Sequence, residues 1–391
     1  MKSKDILNDL LTRNVEDLIV RSELEKKLKS GKKLRIKLGI DPTGSRIHIG
    51  RAVPLWKLRQ FQDLGHQITF VAGTFTAQIG DSSDKLSERK MLSSEEVAEN
   101  FKSYHAQLSK ILDMDKVEMF HNGDWFEKMR LHEFFKLTSL FTIQQMIERE
   151  NYAKRIEANK PVGLHETLYA LLQGYDSVQM KTDLEVGGTD QLFNMLAGRT
   201  VQKAYGQNPQ NVMTFHILEG ADGRKMSTSW GNCIYIDDQP LEMYGKIMTI
   251  HDELIPAYFK MATDMPMDLI AQIEKDMSLG DNPRDTKASL ARAVVARYYD
   301  SRTALKAEKA WENQFRAGEK PSDIENFKTK KGTAIDVVAL AFDLSKSEAR
   351  RLLAQGGIKI DDEVLKDTER KITKNCLLQL GKRRYKNIQV S

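Results

Sequence analysis

Residues 34–40 alternate: Leu34, Ile36, Leu38 and Ile40 are apolar, whereas Arg35 and Lys37 are not. A period of two sends successive side chains to opposite faces, so the stretch predicts a strand with one face in a core. Over 51–64, Val53, Leu55, Trp56, Leu58, Phe61 and Leu64 recur as the broad apolar face of a helix. Pro54 lies in its first turn, where a missing N–H costs little, and Gly65 ends it. Residues 67–72 (QITFVA) read as a second strand. Strand, helix, strand at this spacing is a right-handed βαβ crossover, which implies a parallel sheet with helices on its faces.

Beyond this unit the pattern predicts an N-terminal helix over 4–30, carried by Leu7, Leu10, Leu11, Val15, Leu18 and Ile19. It predicts further helices over 93–113, 125–150 and 164–179, and strands over 117–121, 183–186 and 213–217. From about residue 236 to 320 the sequence is helical with few strand signals. The stretch 317–332 is polar, holds Gly and Pro and lacks periodicity, which marks 321–332 as a linker. The expected organisation is a Rossmann-like α/β domain over 1–220, an α-helical domain over 221–320 and a small α/β domain over 333–391.

Composition narrows the class. A chain of 391 residues suits two or three domains. A net charge of +5 excludes a polycation but allows a local basic patch. Cys233 and Cys376 are the only cysteines, too few for a disulfide scaffold or a multi-cysteine zinc site, and they suit a reducing cytoplasm. The N-terminus is charged and amphipathic rather than a signal-peptide core, and no segment approaches the run of about 18 apolar residues that spans a bilayer.

Two short motifs carry the chemistry. His48-Ile49-Gly50-Arg51 lies between the first strand and its helix. That is where an open parallel sheet binds ligands, and a helix N-terminus suits a phosphate. Gly50 allows a flat base to approach the backbone. Lys225-Met226-Ser227-Thr228-Ser229 follows Gly220 and Gly223 in a glycine-flanked loop, where adjacent cations suit a polyphosphate. Taken alone, each is more often a surface histidine or a basic loop. Between them, Tyr169, Gln173 and Asp176 stand at i, i+4 and i+7 and share one helix face. A buried carboxylate there needs a partner, which a substrate hydroxyl would supply.

With these motifs in order, the chain resembles bacterial tyrosyl-tRNA synthetases, a group of class I aminoacyl-tRNA synthetases. The stretch 34–51 (LRIKLGIDPTGSRIHIGR) looks like the family's first catalytic segment, and the match extends from the N-terminal helix to the last domain. The resemblance implies ATP-dependent activation of tyrosine to tyrosyl-AMP and pyrophosphate, then transfer to the 3′ end of tRNA(Tyr). It implies catalytic roles for His48, Arg51, Lys225 and Thr228. It implies tyrosine contacts from Asp81, Tyr169, Gln173, Asp176 and Gln191. Lys37 is either a further pocket residue or an outward residue of an alternating strand. ATP contacts fall to Gly39, Asp41, His48, Gly50, Gly188, Asp190, Lys225, Met226 and Ser227. A site built to hydrogen-bond the phenol rejects phenylalanine by roughly 10⁴–10⁵, a figure that itself comes from tyrosyl enzymes.

The sequence departs from the family at Arg51, where relatives carry a second histidine, and at Thr228, where they carry a second lysine. Thr74, Ser82 and Asp84 also depart. The alternatives are a tryptophanyl-type synthetase and a diverged synthetase-like RNA-binding paralogue with weak ligase activity. Toward the C-terminus, Ser345-Lys346-Ser347-Glu348 reads as a capping box. Lys346, Arg350 and Arg351 project from the helix it opens, and Lys382, Arg383 and Arg384 follow in the tail as RNA-binding candidates. This unit is similar to the small ribosomal-protein-like RNA-binding domain of bacterial tyrosyl enzymes. The resemblance also implies a homodimer, for which the apolar stretch 133–150 (Leu140, Phe141, Ile143, Met146, Ile147) is suited. Mg²⁺ would arrive with ATP; no dedicated metal site, tightly bound cofactor or membrane partner is expected.

Overall fold

The computed structural model describes residues 3–41, 46–81, 96, 104–316, 324–365, 367, 370–381 and 384–390. The chain divides into two compact units, Met1–Ala307 and Glu308–Ser391.

A six-stranded sheet organises the first unit, in the order β1-β6-β5-β2-β3-β4. Its strands are β1 (Val15–Ile19), β2 (Arg35–Ile40), β3 (Gln67–Ala72), β4 (Val117–His121), β5 (Leu184–Gly188) and β6 (Asn211–Phe215). All pair parallel except β1, which runs antiparallel to β6. From β2 the parallel strands run outward through β3 to β4, and from β5 they run the other way to β6, with β1 at that edge. That reversal opens a crevice at the carboxyl ends of β2 and β5, where ligands bind in such folds. Ile36, Leu58, Phe61, Ile68, Phe70, Leu184, Val212 and Met213 are among the fully buried residues around the sheet.

The N-terminal expectation needs correction. In place of one helix over 4–30 stand α1 (Ser3–Thr12), β1 and α2 (Arg21–Lys29). Asn14 and Val20 take positive φ of 63° and 59° on either side of β1, which separates the strand from the helix before it and the helix after it. Strand pairing with β6 offsets that cost. The helix expected over 51–64 is α3 (Ile49–Asp63), and Gly65 turns out of it at φ 86°. The range 125–150 is not one helix. After α4 (Thr76–Ile79) come α5 (Gly123–Phe126), α6 (Leu131–Thr138), α7 (Ile143–Ile147) and α8 (Glu150–Glu157). Residues 104–108 are helical; the earlier part of the expected 93–113 helix lies mostly outside the described residues. The expected 164–179 helix is α9 (Leu164–Met180). It packs along α10 (Leu192–Ala204), where a Cβ on Gly174 would lie 3.2 Å from the backbone of Gly198.

The helices that follow are α11 (Pro240–Ile247), α12 (Ile255–Ala262), α13 (Met267–Ser278), α14 (Pro283–Tyr298) and α15 (Ser301–Arg316). As far as Ala307 they belong to the same compact unit as the sheet, so the expected division near residue 220 is not a break between units. Side chains tie the two regions together. Arg13 donates to the carbonyls of Lys260, Thr263 and Met265 at 3.1, 2.7 and 2.9 Å, which satisfies the end of α12. Tyr258 donates to the Glu219 carbonyl at 2.7 Å, and Trp56 Nε1 donates to Tyr298 Oη at 3.1 Å.

The second unit holds a five-stranded sheet ordered β10-β9-β12-β13-β7 and a two-stranded pair β11-β8. Its strands are β7 (Asn326–Thr329), β8 (Gly332–Thr333), β9 (Ile358–Ile360), β10 (Glu363–Val364), β11 (Lys371–Ile372), β12 (Cys376–Leu380) and β13 (Arg384–Val390). Two helices, α16 (Ala334–Phe342) and α17 (Lys346–Ala354), share its core with Ile358, Leu378 and Ile388. β7 lies inside the range expected to be a linker and pairs parallel with β13, so part of 321–332 is sheet. Among the described residues no helix is long and apolar enough to cross a membrane.

Candidate active site

A cavity of about 1010 Å³ opens at the carboxyl ends of β2, β5 and β6. Its walls include His48, Gly50 and Arg51 from the first motif, Lys225 to Thr228 from the second, and Tyr169, Gln173 and Asp176 from α9. Gly39, Asp41, Asp81, Gly188, Asp190 and Gln191 complete the expected set around it, and Lys37 is not among the lining residues.

At one end, Asp176 is buried at 3% exposure. Trp125 Nε1 donates to its Oδ1 at 3.0 Å and Asn122 Nδ2 to its Oδ2 at 3.4 Å. Burial pushes its carboxyl up to about 7, against the nearby Lys37 charge and the two donors, with Glu185 adding to the rise. Two accepted hydrogen bonds leave a carboxylate lone-pair capacity for a further donor. Asn122 and Trp125 are not in the sequence-derived set. They sit just after β4, and nothing in the local pattern ties them to a helix 50 residues on.

Lys37 is fully buried and points inward, beneath α9. Its Nζ donates to the Gln173 carbonyl at 2.9 Å and to Ser177 Oγ at 2.8 Å, and pairs with Glu185 at 2.9 Å. Three ammonium donors thus have three protein partners. The outward alternative for Lys37 is thereby excluded: it does not face solvent, and two of its partners, Gln173 and Glu185, line the cavity. Glu185 also accepts from Gln173 Nε2 at 3.0 Å and from Gln210 Nε2.

Along the wall, Tyr169 donates through its hydroxyl to Asp41 Oδ2 at 2.8 Å, and Thr76 donates to Asp41 Oδ1 at 2.9 Å. Burial raises the Tyr169 phenol well above its ordinary range, and Asp41 and Asp81 add to the effect. Gly73 makes room for this arrangement, since a Cβ there would lie 1.9 Å from Asp41 Oδ1. Gln191 donates to Asp81 Oδ2 at 2.6 Å and accepts from Asn194 at 3.1 Å. Of the turn 41–44 only Asp41 is described, and Ser82 to Lys85, including Asp84, lie outside the described residues.

The other end is cationic. His48 caps α3: its Nδ1 accepts from the Arg51 N–H at 3.3 Å. Burial lowers the imidazole to about 3, and Arg51 and Lys225 push the same way. The ring is therefore neutral near pH 7, with its proton on Nε2 because Nδ1 accepts. A Cβ on Gly50 would come within 3.1 Å of that Nδ1. The first motif is tied through backbone to the segment that follows the second: Ile49 N donates to Ile234 O at 2.8 Å and Ile236 N to Ile47 O at 3.0 Å, flanking a His48–Tyr235 bridge. Lys225 Nζ lies 3.6 Å from Asp190 Oδ2 and is partly exposed. Arg224 pairs with Asp222 at 2.5 Å outside the cavity wall, and its guanidinium lies 4.7 Å from the Trp230 ring centroid.

In the second unit Ser345 caps α17, accepting from Glu348 N at 3.1 Å. Arg350 and Arg351 are exposed, and Lys346 is paired with Asp336 at 2.7 Å. Arg384 is exposed; it donates to the Phe342 carbonyl at 2.8 Å, and its guanidinium lies 5.1 Å from the centroid of that ring. Lys382 and Arg383 lie outside the described residues.

Comparison with known proteins agrees with this geometry. A family model described as tRNA synthetases class I (W and Y) matches residues 29–316. The chain is 44% identical to a tyrosine–tRNA ligase of Carboxydothermus hydrogenoformans, with 97% of each chain covered. It is 43% identical to one of Thermotoga maritima, over 97% of this chain and 96% of that one. It is also 42% identical to tyrosine–tRNA ligase 2 of Vibrio cholerae, over 97% of each. In fold it is similar to a C-terminally truncated mitochondrial tyrosyl-tRNA synthetase of Aspergillus nidulans, with TM-score 0.64, 23% identity, and 80% and 93% of the two chains covered. A parallel-sheet cavity bearing both motifs and near-full-length identity to these relatives lead to one conclusion: the chain belongs to the tyrosine–tRNA ligase family of class I tRNA synthetases (W and Y).

Proposed function

We propose that this protein is a tyrosine–tRNA ligase acting in the cytoplasm. One observation carries the reading: Asp176, His48 and Lys225 line the same cavity, with Asp176 already held by Trp125 and Asn122. Asp176 accepts the substrate phenol. Tyr169, Asp81 and Gln173 surround the ammonium, and Gln191 reaches the carboxylate. Lys37 acts at one remove, through the charge it places near Asp176 and the carbonyl of Gln173 it holds. Asp190 takes the ribose hydroxyls, and Gly39, Asp41, Gly50, Gly188, Met226 and Ser227 frame the nucleotide.

In the first step a tyrosine carboxylate oxygen attacks the α-phosphorus of Mg·ATP. The bond to the bridging oxygen breaks, and its electron pair leaves with pyrophosphate. His48 offers a neutral Nε2–H to a phosphate oxygen, and Lys225, with Arg51, neutralises charge that grows on the leaving group. Thr228, at the second-lysine position, offers a hydroxyl instead of a charge. In the second step a terminal ribose hydroxyl of tRNA(Tyr) attacks the activated carbonyl and releases AMP. Positioning and electrostatics carry both steps. Lys346, Arg350 and Arg351 supply phosphate contacts for tRNA, together with Lys382 and Arg383.

The active form is a homodimer. Leu131, Phe135, Ile143 and Leu164 are 69%, 61%, 73% and 74% exposed, large apolar side chains that a partner surface would cover. Met146, offered from sequence for this face, is buried in the core.

Pyrophosphate exchange with tyrosine and tryptophan side by side tests the reading. Exchange with tyrosine alone is expected. Preference for tryptophan would move the chain to the other branch of the family, and RNA binding without exchange would make it a non-ligase paralogue.

A further inference from the structure

We infer that Tyr104 is a positioning residue that aims the Arg51 guanidinium into the cavity, where Arg51 takes a phosphate oxygen of ATP. The inference rests on the ligase reading above and adds a residue to it. Tyr104 is 1% exposed, and its hydroxyl accepts from Arg51 Nη1 at 3.3 Å. Both residues line the cavity. Three residues on, Gln107 is 5% exposed and accepts from the Ile47 N–H at 2.7 Å. Residues 104–108 therefore touch the chain on both sides of His48, at Ile47 and at Arg51.

The chemistry suits a brace. Arginine carries five donors in a rigid fork and a charge that pH does not alter. One donor goes to Tyr104, and the fork's plane is then set for a phosphate. An arginine at the helix surface has several rotamers, and an unbraced one would lose most of that freedom only when ATP binds. A buried phenol that can rotate little removes the loss beforehand. The Arg51 backbone N–H meanwhile holds His48, so one residue fixes the tautomer of the imidazole and supplies the neighbouring cation.

The test is Tyr104→Phe, which keeps the ring and removes the acceptor. In pyrophosphate exchange the KM for ATP is expected to rise about three- to tenfold, the range one modest hydrogen bond supplies. The KM for tyrosine is expected to stay within twofold. In an Arg51→Ala background the same substitution is expected to add nothing. Equal effects of Tyr104→Phe in both backgrounds would overturn the pairing, as would an equal shift in the tyrosine KM. An Arg51→Ala enzyme with unchanged ATP dependence would remove the phosphate role. Equilibrium ATP binding separates this from the ligase reading. Weaker ATP binding in Tyr104→Phe, but not on Arg51→Ala, supports the brace even where tyrosine exchange is absent; that absence would instead overturn the ligase reading.

Discussion

At one end of the cavity, which the proposed reading gives to the phenol, Asp176 sits at 3% exposure under two fixed N–H donors, and the groups beneath it are interlocked. At the other end, which the proposed reading gives to the phosphates, Lys225 rides on a partly exposed, glycine-bearing loop, and Arg51 reaches out from a helix turn. The first end comes from sheet and a 17-residue helix; the second joins segments from distant parts of the chain. Selection needs geometry that does not give, because an unpaired buried carboxylate rejects a substrate without the hydroxyl. Charge stabilisation needs groups that close around ATP after it enters.

The largest expected effect comes from breaking the rigid end. Asp176→Ala should lower tyrosine-over-phenylalanine preference by roughly 10³ or more, with the KM for ATP little changed. An unaltered preference in competitive exchange would remove Asp176 from the pocket. At the other end, Lys225→Ala should slow adenylate formation by about 10²–10³ while tyrosine affinity stays within twofold. Single-turnover kinetics would reveal a uniform loss of binding if the ammonium has no transition-state role.

Trp125→Phe sharpens the contrast more gently. Losing one donor should cost about three- to tenfold in kcat/KM for tyrosine. It should also move the acid limb of that pH profile, set near 7 by Asp176, to higher pH. An unmoved limb would mean another group titrates there.

The smallest effect separates the two ends by sign. The Asp176 carboxyl is raised from an ordinary 3.8 to about 7, so the folded state holds the extra proton and stability falls as pH rises through that window. His48 is lowered from 6.5 to about 3, so the unfolded chain holds the proton and stability falls as pH drops through that window. Urea midpoints from pH 4 to 6.5 should therefore rise more steeply with pH in Asp176→Asn than in the unmodified protein. Identical slopes would contradict the raised carboxyl.

How much of this was legible in sequence follows the range of the interactions. β2, α3, β3 and β4 carry their periodicity locally and lie within a residue or two of expectation. β1 does not: Val15, Leu18 and Ile19 continue a helical pattern, and β6, about 200 residues later, decides otherwise. Tyr169, Gln173 and Asp176 were readable because one helix presents them at fixed spacing. Trp125, Asn122, Tyr104 and the Lys37–Glu185 pair were not, because each depends on which separate elements the fold brings together. The open question of which way Lys37 faces has the same origin, since alternation identifies a face but not what covers it.

The antiparallel pairing of β1 has a consequence for any shortened form of the chain. Removing the first twenty residues would strip β6 of its neighbour and present a bare ladder of amides and carbonyls to other molecules. It would also withdraw Arg13 from three carbonyls near the end of α12. The N-terminal segment is thus anchored at two places, the sheet edge and α12, and trimming it would loosen both at once.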